Sequence, residues 1–296
     1  MMTTSAAAPL TIGGALEFGQ KVLFQGEVPE AKVCAEILLG HVLGQRATYL
    51  RISSDTSISE SQFLVFNSLL ERRLTHEPIQ YILGDQEFFG RTFKVGPGVL
   101  IPRPETELLV EKTLDVLKFV PSPRKKILEI GTGSGCVAIT LALENENADV
   151  VAVDISQDAL HIAQSNAAKH NVLQRCQMVL GETFGGQQKN LPFDVIVSNP
   201  PYIPTQTISG LEAQVKNFEP HLALDGGGDG LGVIRTLIEQ APIFLQESGF
   251  LLFEFGEDQV QAICRLVEGS KYWEDVEIFP DLNHRPRVFR VKKWMQ

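Results

Sequence analysis

Basic side chains are scarce in this sequence. Its 26 Lys and Arg stand against 36 Asp and Glu, a formal net charge of −10. A general phosphate-binding surface is therefore not expected, and with it direct nucleic-acid binding. No apolar run reaches membrane-spanning length, and no basic segment precedes a short apolar stretch at the start. Neither a membrane span nor a secretory signal is expected. The four cysteines, Cys34, Cys136, Cys176 and Cys264, lie too far apart for a metal knuckle or a redox pair, and the six histidines lack ligand spacing. No metal site is expected, and the thiols read as the reduced residues of a cytoplasmic protein.

What is present is ordinary for a folded chain: 296 residues, longer than one typical domain, with 44% hydrophobic side chains. Most of the acidic excess lies beyond residue 95. It fits a cationic ligand or a basic partner, although a solvated surface explains most of it more simply. Residues 1–13 are small and unpatterned and are expected to be disordered. Leu16, Phe18, Val22, Leu23 and Phe24 predict a short helix. Cys34, Ile37, Leu38 and Val42 predict a second over 30–43. Ser59-Glu60-Ser61-Gln62 has the form of a capping box, ahead of one apolar face made by Phe63, Phe66, Leu70 and Leu74.

Residues 1–76 thus read as a small helical bundle, and 77–104 as a bridge with a hairpin near Phe88-Phe89-Gly90-Arg91. A helix over 104–118 follows, with Pro104 at its first position and Glu105 and Glu107 in its first turn. From Lys125 onward, strand patterns at 126–130, 149–153, 176–180, 193–198, 249–255, 275–279 and 287–292 alternate with helices near 135–144, 157–170, 229–246 and 257–268. That alternation predicts an α/β fold, a mostly parallel sheet covered by helices on both faces. No helical pattern separates the last two strands, so they are expected to pair antiparallel.

The most informative stretch is Val195-Ile196-Val197-Ser198-Asn199-Pro200-Pro201-Tyr202. A short β-branched run, read as a central strand, stops at two prolines that have no N–H to donate. Asn199, preceding a proline, is pushed towards an extended conformation. The product is a stiff loop at the carboxyl edge of a strand, where open α/β sheets bind ligands. A carboxamide oxygen at Asn199 and the neighbouring Pro200 carbonyl can accept both hydrogens of a planar –NH₂ group. Pro201 stiffens the loop, and Tyr202 offers an aromatic wall. The bland alternative is a rigid turn ending a strand.

Upstream, Glu129-Ile130-Gly131-Thr132-Gly133-Ser134-Gly135-Cys136 joins a strand to a helix, and Asp154 ends the next strand 19 residues after Gly135. Alternate glycines let a ligand approach the backbone and the helix N-terminus, and a carboxylate at Asp154 suits a ribose diol. The loop alone fits a nicotinamide cofactor as well. The dinucleotide pattern, however, wants glycine three residues after Gly133, where Cys136 stands. That favours a nucleoside without a pyrophosphate, such as S-adenosylmethionine. Glu182, Thr183 and Phe184 follow the third strand; Glu182 is a candidate adenine contact and the other two candidate ring neighbours, with a plain surface turn as the competing reading.

With these residues assembled, the chain resembles the protein-(glutamine-N5) methyltransferases of the PrmC/HemK family, which modify peptide chain release factors. The resemblance runs from about residue 30 to the end. It rests on Glu77-Pro78-x-Gln80-Tyr81-Ile82-x-Gly84, Phe89-Gly90-x-x-Phe93-x-Val95, Leu100-Ile101-Pro102-Arg103-Pro104-Glu105-Thr106-Glu107, the glycine loop, Asn199-Pro200-Pro201-Tyr202-Ile203, and Glu219-Pro220-x-x-Ala223-Leu224-x-Gly226-Gly227-x-Asp229-Gly230-Leu231. The Ile-Pro-Arg-Pro-Glu-Thr-Glu string separates this family from other Asn-Pro-Pro-Tyr enzymes. Asp281-Leu282-Asn283-His284-Arg285 departs from the family pattern near the terminal hairpin.

The resemblance implies a seven-stranded Rossmann-like class I methyltransferase domain over 105–296. Before it come a β-hairpin bridge over 77–104 and an N-terminal helical bundle over 1–76; docking of the release factor is the role expected of that bundle, with simple packing as the default reading. It also implies S-adenosyl-L-methionine contacts at Gly131, Thr132, Gly133, Ser134, Gly135 and Asp154, an aromatic adenine contact near Thr183 or Phe184, and glutamine capture at Asn199, Pro200, Pro201 and Tyr202. The implied substrate is the Gly-Gly-Gln loop of class-1 peptide chain release factors, and a monomer is expected. The rival readings are an adenine-N6 methyltransferase on DNA or RNA, a catalytically silent scaffold and, more distantly, a dehydrogenase. Gly185-Gly186-Gln187 in this chain reads as a chance copy of the substrate tripeptide.

Overall fold

The computed structural model describes residues 11–185 and 192–294. The chain divides into two compact units, Met1–Gly84 with Ala213–Phe218, and Asp85–Glu212 with Glu219–Gln296. In the first unit, helices α1 (Ile12–Gln25), α2 (Ala31–Leu43), α3 (Ala47–Ile52), α4 (Glu60–Leu74) and α5 (Ile79–Leu83) enclose one apolar core. Leu23 of α1, Leu38 and Leu39 of α2, Leu50 of α3, and Phe66 and Leu70 of α4 are all buried in it. The expected capping box forms: Ser59 Oγ accepts from Gln62 N, and Gln62 Oε1 accepts from Ser59 N.

Some details differ from the sequence reading. Ile12 and Gly13, expected to be disordered, are helical because Thr11 Oγ1 caps α1 by accepting from Gly14 N at 3.2 Å. Residues 79–83, assigned to the bridge, form α5 within the helical unit, where Tyr81 and Ile82 are buried.

The second unit opens with the hairpin β1 (Asp85–Phe88) and β2 (Arg91–Lys94), paired antiparallel, and then α6 (Glu105–Leu117). The sheet strands and their helices follow in order: β3 (Lys125–Ile130), α7 (Cys136–Glu144), β4 (Ala148–Asp154), α8 (Gln157–Lys169), β5 (Cys176–Leu180) and β6 (Phe193–Ser198). The four-residue helix α9 (Ala213–Lys216) clusters with the first unit. Then come α10 (Gly232–Phe244), β7 (Leu245–Glu254), α11 (Val260–Glu268), β8 (Trp273–Pro280) and β9 (Pro286–Lys293). The strand order is β5-β4-β3-β6-β7-β9-β8, parallel except for β9, which runs antiparallel to both β7 and β8.

Neighbouring residues of the central strands face opposite cores. Ile127, Val195, Val197 and Leu252 pack with α6 and α7, whereas Leu128, Ile196, Leu251 and Phe253 pack with α10 and α11. Burial on both faces is why Val195-Ile196-Val197 carries no polar alternation. The hairpin is tied to the sheet layer by one buried side chain. Asn166 of α8 accepts from Lys94 N at 2.7 Å and donates to the carbonyls of Lys94 and Ser134 at 3.0 and 2.8 Å.

Helix α10 is shorter than the 229–246 expected, since β7 begins at Leu245. It carries Pro242 in its last turn. Proline has no N–H for the carbonyl four residues back. That carbonyl, on Ile238, instead accepts the Trp273 indole N–H at 3.0 Å. Replacing Trp273 by Phe is expected to cost about 1–3 kcal/mol by urea denaturation, from the unpaired carbonyl together with lost packing. The same change made beside Pro242→Ala, which restores a helical N–H, is expected to cost measurably less.

Candidate active site

The site lies where the sheet reverses its winding. From β3 the chain steps to β4 and β5 on one side, then crosses to β6 on the other, which opens a crevice at the carboxyl ends of β3 and β6. Register sets what meets there. Ile130 pairs with Ser198, and Ser198 pairs with Phe253. Gly131, Asn199 and Glu254, the next residue of each strand, therefore sit level along one edge. A cavity of about 330 Å³ occupies the crevice, lined by residues 129–134 together with Asp154, Asn199 and Pro201, among others. That is the size of a small-molecule pocket.

The glycine loop wraps one wall. Gly131, Gly133 and Gly135 all have positive φ, and Gly135 ends the loop against α8, where a Cβ would lie 3.1 Å from Ala163 Cβ. Asp154 lies across from the loop, its Oδ2 accepting from Gly133 N at 2.8 Å and its Oδ1 from Ser156 N at 2.9 Å. Beneath it, Glu129 Oε2 accepts the Thr132 hydroxyl at 2.5 Å and Ala138 N at 3.1 Å. Burial pushes the Glu129 carboxyl up to about 8, and the nearby Asp154 charge adds to the shift. Burial also raises Asp154, against hydrogen bonds from Ser156 and Gly133 that lower it. Among the described residues the buried Ser134 hydroxyl has no hydrogen-bond partner of good geometry, with the Cys136 thiol lying nearby.

The opposite wall is Asn199 and the residues that hold it. Its Nδ2 donates to Thr106 Oγ1 at 3.1 Å, and Thr106 donates to Glu254 Oε2 at 2.7 Å. The other oxygen of Glu254 accepts the Tyr202 hydroxyl at 3.0 Å. Burial is the leading cause that raises both Glu254 and Tyr202 above their ordinary values. The loop beyond Tyr202 is clamped by the glycine-rich segment that follows Glu219. Ile203 N donates to the Leu224 carbonyl, Gly226 N donates to the Ile203 carbonyl, and Gln259 Nε2 donates to the Tyr202 carbonyl. At Gly230, with φ +74, a Cβ would lie 2.3 Å from the Tyr202 carbonyl oxygen, so only glycine lets the two strands of backbone approach.

Two strings 116 residues apart complete the rim. Arg103 Nη2 is paired with the almost fully buried Glu219 carboxylate, whose other oxygen accepts from Ile101 N at 3.1 Å. Arg103, Thr106, Pro220 and Leu222 line the cavity. Both strings carry the family resemblance, yet none of their residues was expected at the site. Their only signal was the density of charge and proline in Ile-Pro-Arg-Pro-Glu-Thr-Glu. Glu129 was missed as well, since a carboxylate within an apolar strand reads as a packing irregularity.

The structure brings Gly131, Thr132, Gly133, Ser134, Asp154, Glu182, Thr183, Asn199 and Pro201 onto the cavity wall. Four expected residues fall elsewhere. Phe184, expected beside an adenine ring, is buried in the core and stacked on Phe244, with ring centroids 4.7 Å apart. Its apolar ring finds a larger partner there than an open turn offers. Tyr202 was expected as an aromatic wall; it packs against the same core and turns its hydroxyl to Glu254. Pro200 and Gly135 are not cavity-lining residues, because the strand end and the helix start bury them. Of Gly185-Gly186-Gln187, Gly186 and Gln187 lie outside the described residues. Among the described residues no group of three or more His, Cys, Asp or Glu could hold a metal ion, and no helix is long and apolar enough to cross a membrane.

Comparison with known proteins points the same way. Residues 14–84 match the PrmC N-terminal domain family and residues 105–227 the methyltransferase small domain family. The chain is 38% identical over 282 residues to a release factor glutamine methyltransferase of Nitratidesulfovibrio vulgaris, covering 95% of each chain. It is 36% identical over 287 residues to one of Koribacter versatilis, covering 96% of this chain and 99% of that one. A crystal structure of a methyltransferase from Pyrococcus furiosus shares the fold with a TM-score of 0.50 at 20% identity, over 70% of this chain and 91% of that one.

The Glu129 shift has a definite consequence for stability. The folded carboxyl keeps its proton up to about pH 8, whereas the unfolded one releases it near its ordinary 4.5. Between those values the folded state binds more protons, so stability falls as pH rises and levels off above the upper one. Thermal unfolding of the free protein is expected to show a melting temperature that declines over this window. Glu129→Gln, which stays neutral, is expected to remove that part of the slope.

Proposed function

Because this chain belongs to the release factor glutamine methyltransferase family, we propose that it transfers a methyl group from S-adenosylmethionine to the side-chain amide nitrogen (N5) of the glutamine in the Gly-Gly-Gln loop of class-1 peptide chain release factors. The observation that carries the reading is Asn199, held on the cavity wall beside the glycine loop by its nitrogen end. No described residue donates to its Oδ1.

The residues present fit the cofactor. The cavity has nucleoside size, the buried Ser134 hydroxyl sits in its wall with no hydrogen-bond partner among the described residues, and the Asp154 carboxylate supplies negative charge for a cationic ligand. Gly131, Thr132, Gly133 and Ser134 would present backbone to it, and Asp154 would accept from its ribose hydroxyls. When bound, S-adenosylmethionine supplies an electrophilic methyl carbon on a sulfonium.

An amide nitrogen is a poor nucleophile because its lone pair is delocalised into the carbonyl. With Asn199 Oδ1 accepting one of its hydrogens, the substrate nitrogen is held while it pyramidalises. Orientation of this kind is worth up to roughly 7–11 kcal/mol in ideal cases. No strong general base is needed, because an alkylated amide nitrogen sheds its proton readily to water. The prolines keep the loop from relaxing away.

The helical unit is assigned to docking the protein substrate. It exposes Phe24, Ile52 and Leu64, apolar side chains suited to a protein partner. Replacing Phe24 and Leu64 by Ser is expected to raise KM for an intact release factor with kcat little changed.

The direct test is intact-mass analysis of a class-1 release factor after incubation with the protein and S-adenosylmethionine, with fragment mapping of the modified residue and with DNA and RNA assayed in parallel. One added methyl group on the Gly-Gly-Gln glutamine is expected. Methyl transfer to nucleic acid alone would overturn the reading. Asn199→Ala is expected to lower kcat on the order of 10²–10³-fold while cofactor affinity by calorimetry changes little.

A further inference from the structure

Asn199 can perform amide capture in one orientation only. A carboxamide has an acceptor end and a donor end of nearly the same shape, and turning it over would present two N–H groups to a substrate –NH₂ that also donates. Something must choose the end. The backbone does not, since the two orientations differ only by a half-turn of a terminal torsion that is broad and roughly two-fold.

We propose that the Glu254 carboxylate makes this choice through the Thr106 hydroxyl, so that Thr106 and Glu254 are positioning residues for the substrate amide. The proposal rests on the amide-capture reading above. An ionised carboxylate only accepts hydrogen bonds. Thr106 has one proton, and at 2.7 Å it is committed to Glu254 Oε2. The oxygen of Thr106 is then left with lone pairs alone towards Asn199, so it accepts the Asn199 amide nitrogen at 3.1 Å. The nitrogen end is thereby fixed inward and Oδ1 faces away from Thr106. Polarity passes along three groups without any proton changing owner.

The surroundings support this assignment. Thr106 and Glu254 are both almost fully buried, so water does not compete for either. The second oxygen of Glu254 is taken by Tyr202, the last residue of the same loop, so one carboxylate holds both ends of Asn199–Tyr202. The charges acting on Glu254 are Arg287, which favours its ionised form, and Glu105, which opposes it; Arg103 acts on Tyr202. Arg287 donates to the Phe255 carbonyl beside it, lies 3.8 Å from Asp281, and has a buried Nε with no partner among the described residues. Protonation of Glu254 would free Thr106 to point its proton either way, and the carboxamide would lose its preferred end.

The experiment reads Asn199 itself and then turnover. In the ¹⁵N-labelled full-length protein without cofactor, the side-chain NH₂ pair of Asn199 is assigned by its loss in Asn199→Asp. The shift of the hydrogen-bonded proton is expected to change in Thr106→Val, to return in Thr106→Ser, and to titrate on acidification in the wild type but not in Glu254→Gln. With an intact release factor, Thr106→Val is expected to lower kcat on the order of 10²-fold, the cost of a mispositioned group. Cofactor affinity should change far less than kcat, and Thr106→Ser should recover most of kcat. The acid limb of the kcat–pH profile should be altered in Glu254→Gln.

An Asn199 pair identical in wild type and Thr106→Val, or wild-type kcat in that variant, overturns the proposal. A protein whose Asn199 pair behaves as expected but that leaves the release factor unmodified upholds the polar relay and overturns the function assigned to it. Should Glu254→Gln fail to fold, the Thr106 pair of variants decides alone.

Discussion

The register of β6 between β3 and β7 is the constraint on which the site depends. Backbone hydrogen bonds hold Ile130, Ser198 and Phe253 in one row. A slip of one residue would reverse every side chain of β6 between the two cores, a cost that the fully apolar flanks of both cores forbid. The residues that follow the row leave the sheet together. A flexible glycine turn, a rigid proline turn and a buried carboxylate are thus delivered to the same edge by strands whose sequences have nothing to do with one another.

Three carboxylates, Glu129, Asp154 and Glu254, end or nearly end strands at this edge. Burial raises all three, so each is held in an environment that opposes its charge. Hydroxyl and backbone donors offset part of that cost: Thr132 and Ala138 at Glu129, Gly133 and Ser156 at Asp154, Thr106 and Tyr202 at Glu254. A folded protein tolerates such strain where the remaining structure is stabilised elsewhere. Here two apolar cores flank the sheet. The strain buys preorganisation, because groups already desolvated and oriented need not rearrange when a ligand arrives.

Much of the architecture was legible along the chain. Every sheet strand was foreseen within about four residues, because central strands buried on both faces are written as unbroken apolar runs. The antiparallel ending was legible from a missing helix. Element ends were less so. The start of α1 depends on one threonine cap, and the end of α10 on a proline whose missing donor is replaced by a tryptophan from another strand.

For the site, residue order determined which groups could bind: the alternate glycines, the strand-end Asp154, and an asparagine locked before two prolines are local features, set by φ restrictions and turn chemistry within a few bonds. What those groups face was decided only by tertiary packing. Phe184 lies next to Thr183 in the chain, yet one turns into the core and the other onto the cavity wall. Arg103 meets Glu219, and Thr106 meets Glu254 across 148 residues, through burial that no local pattern encodes. The physical reason is the same in each case. Backbone preferences act between neighbours, whereas the pairing of buried polar groups is settled by which surfaces the sheet brings together.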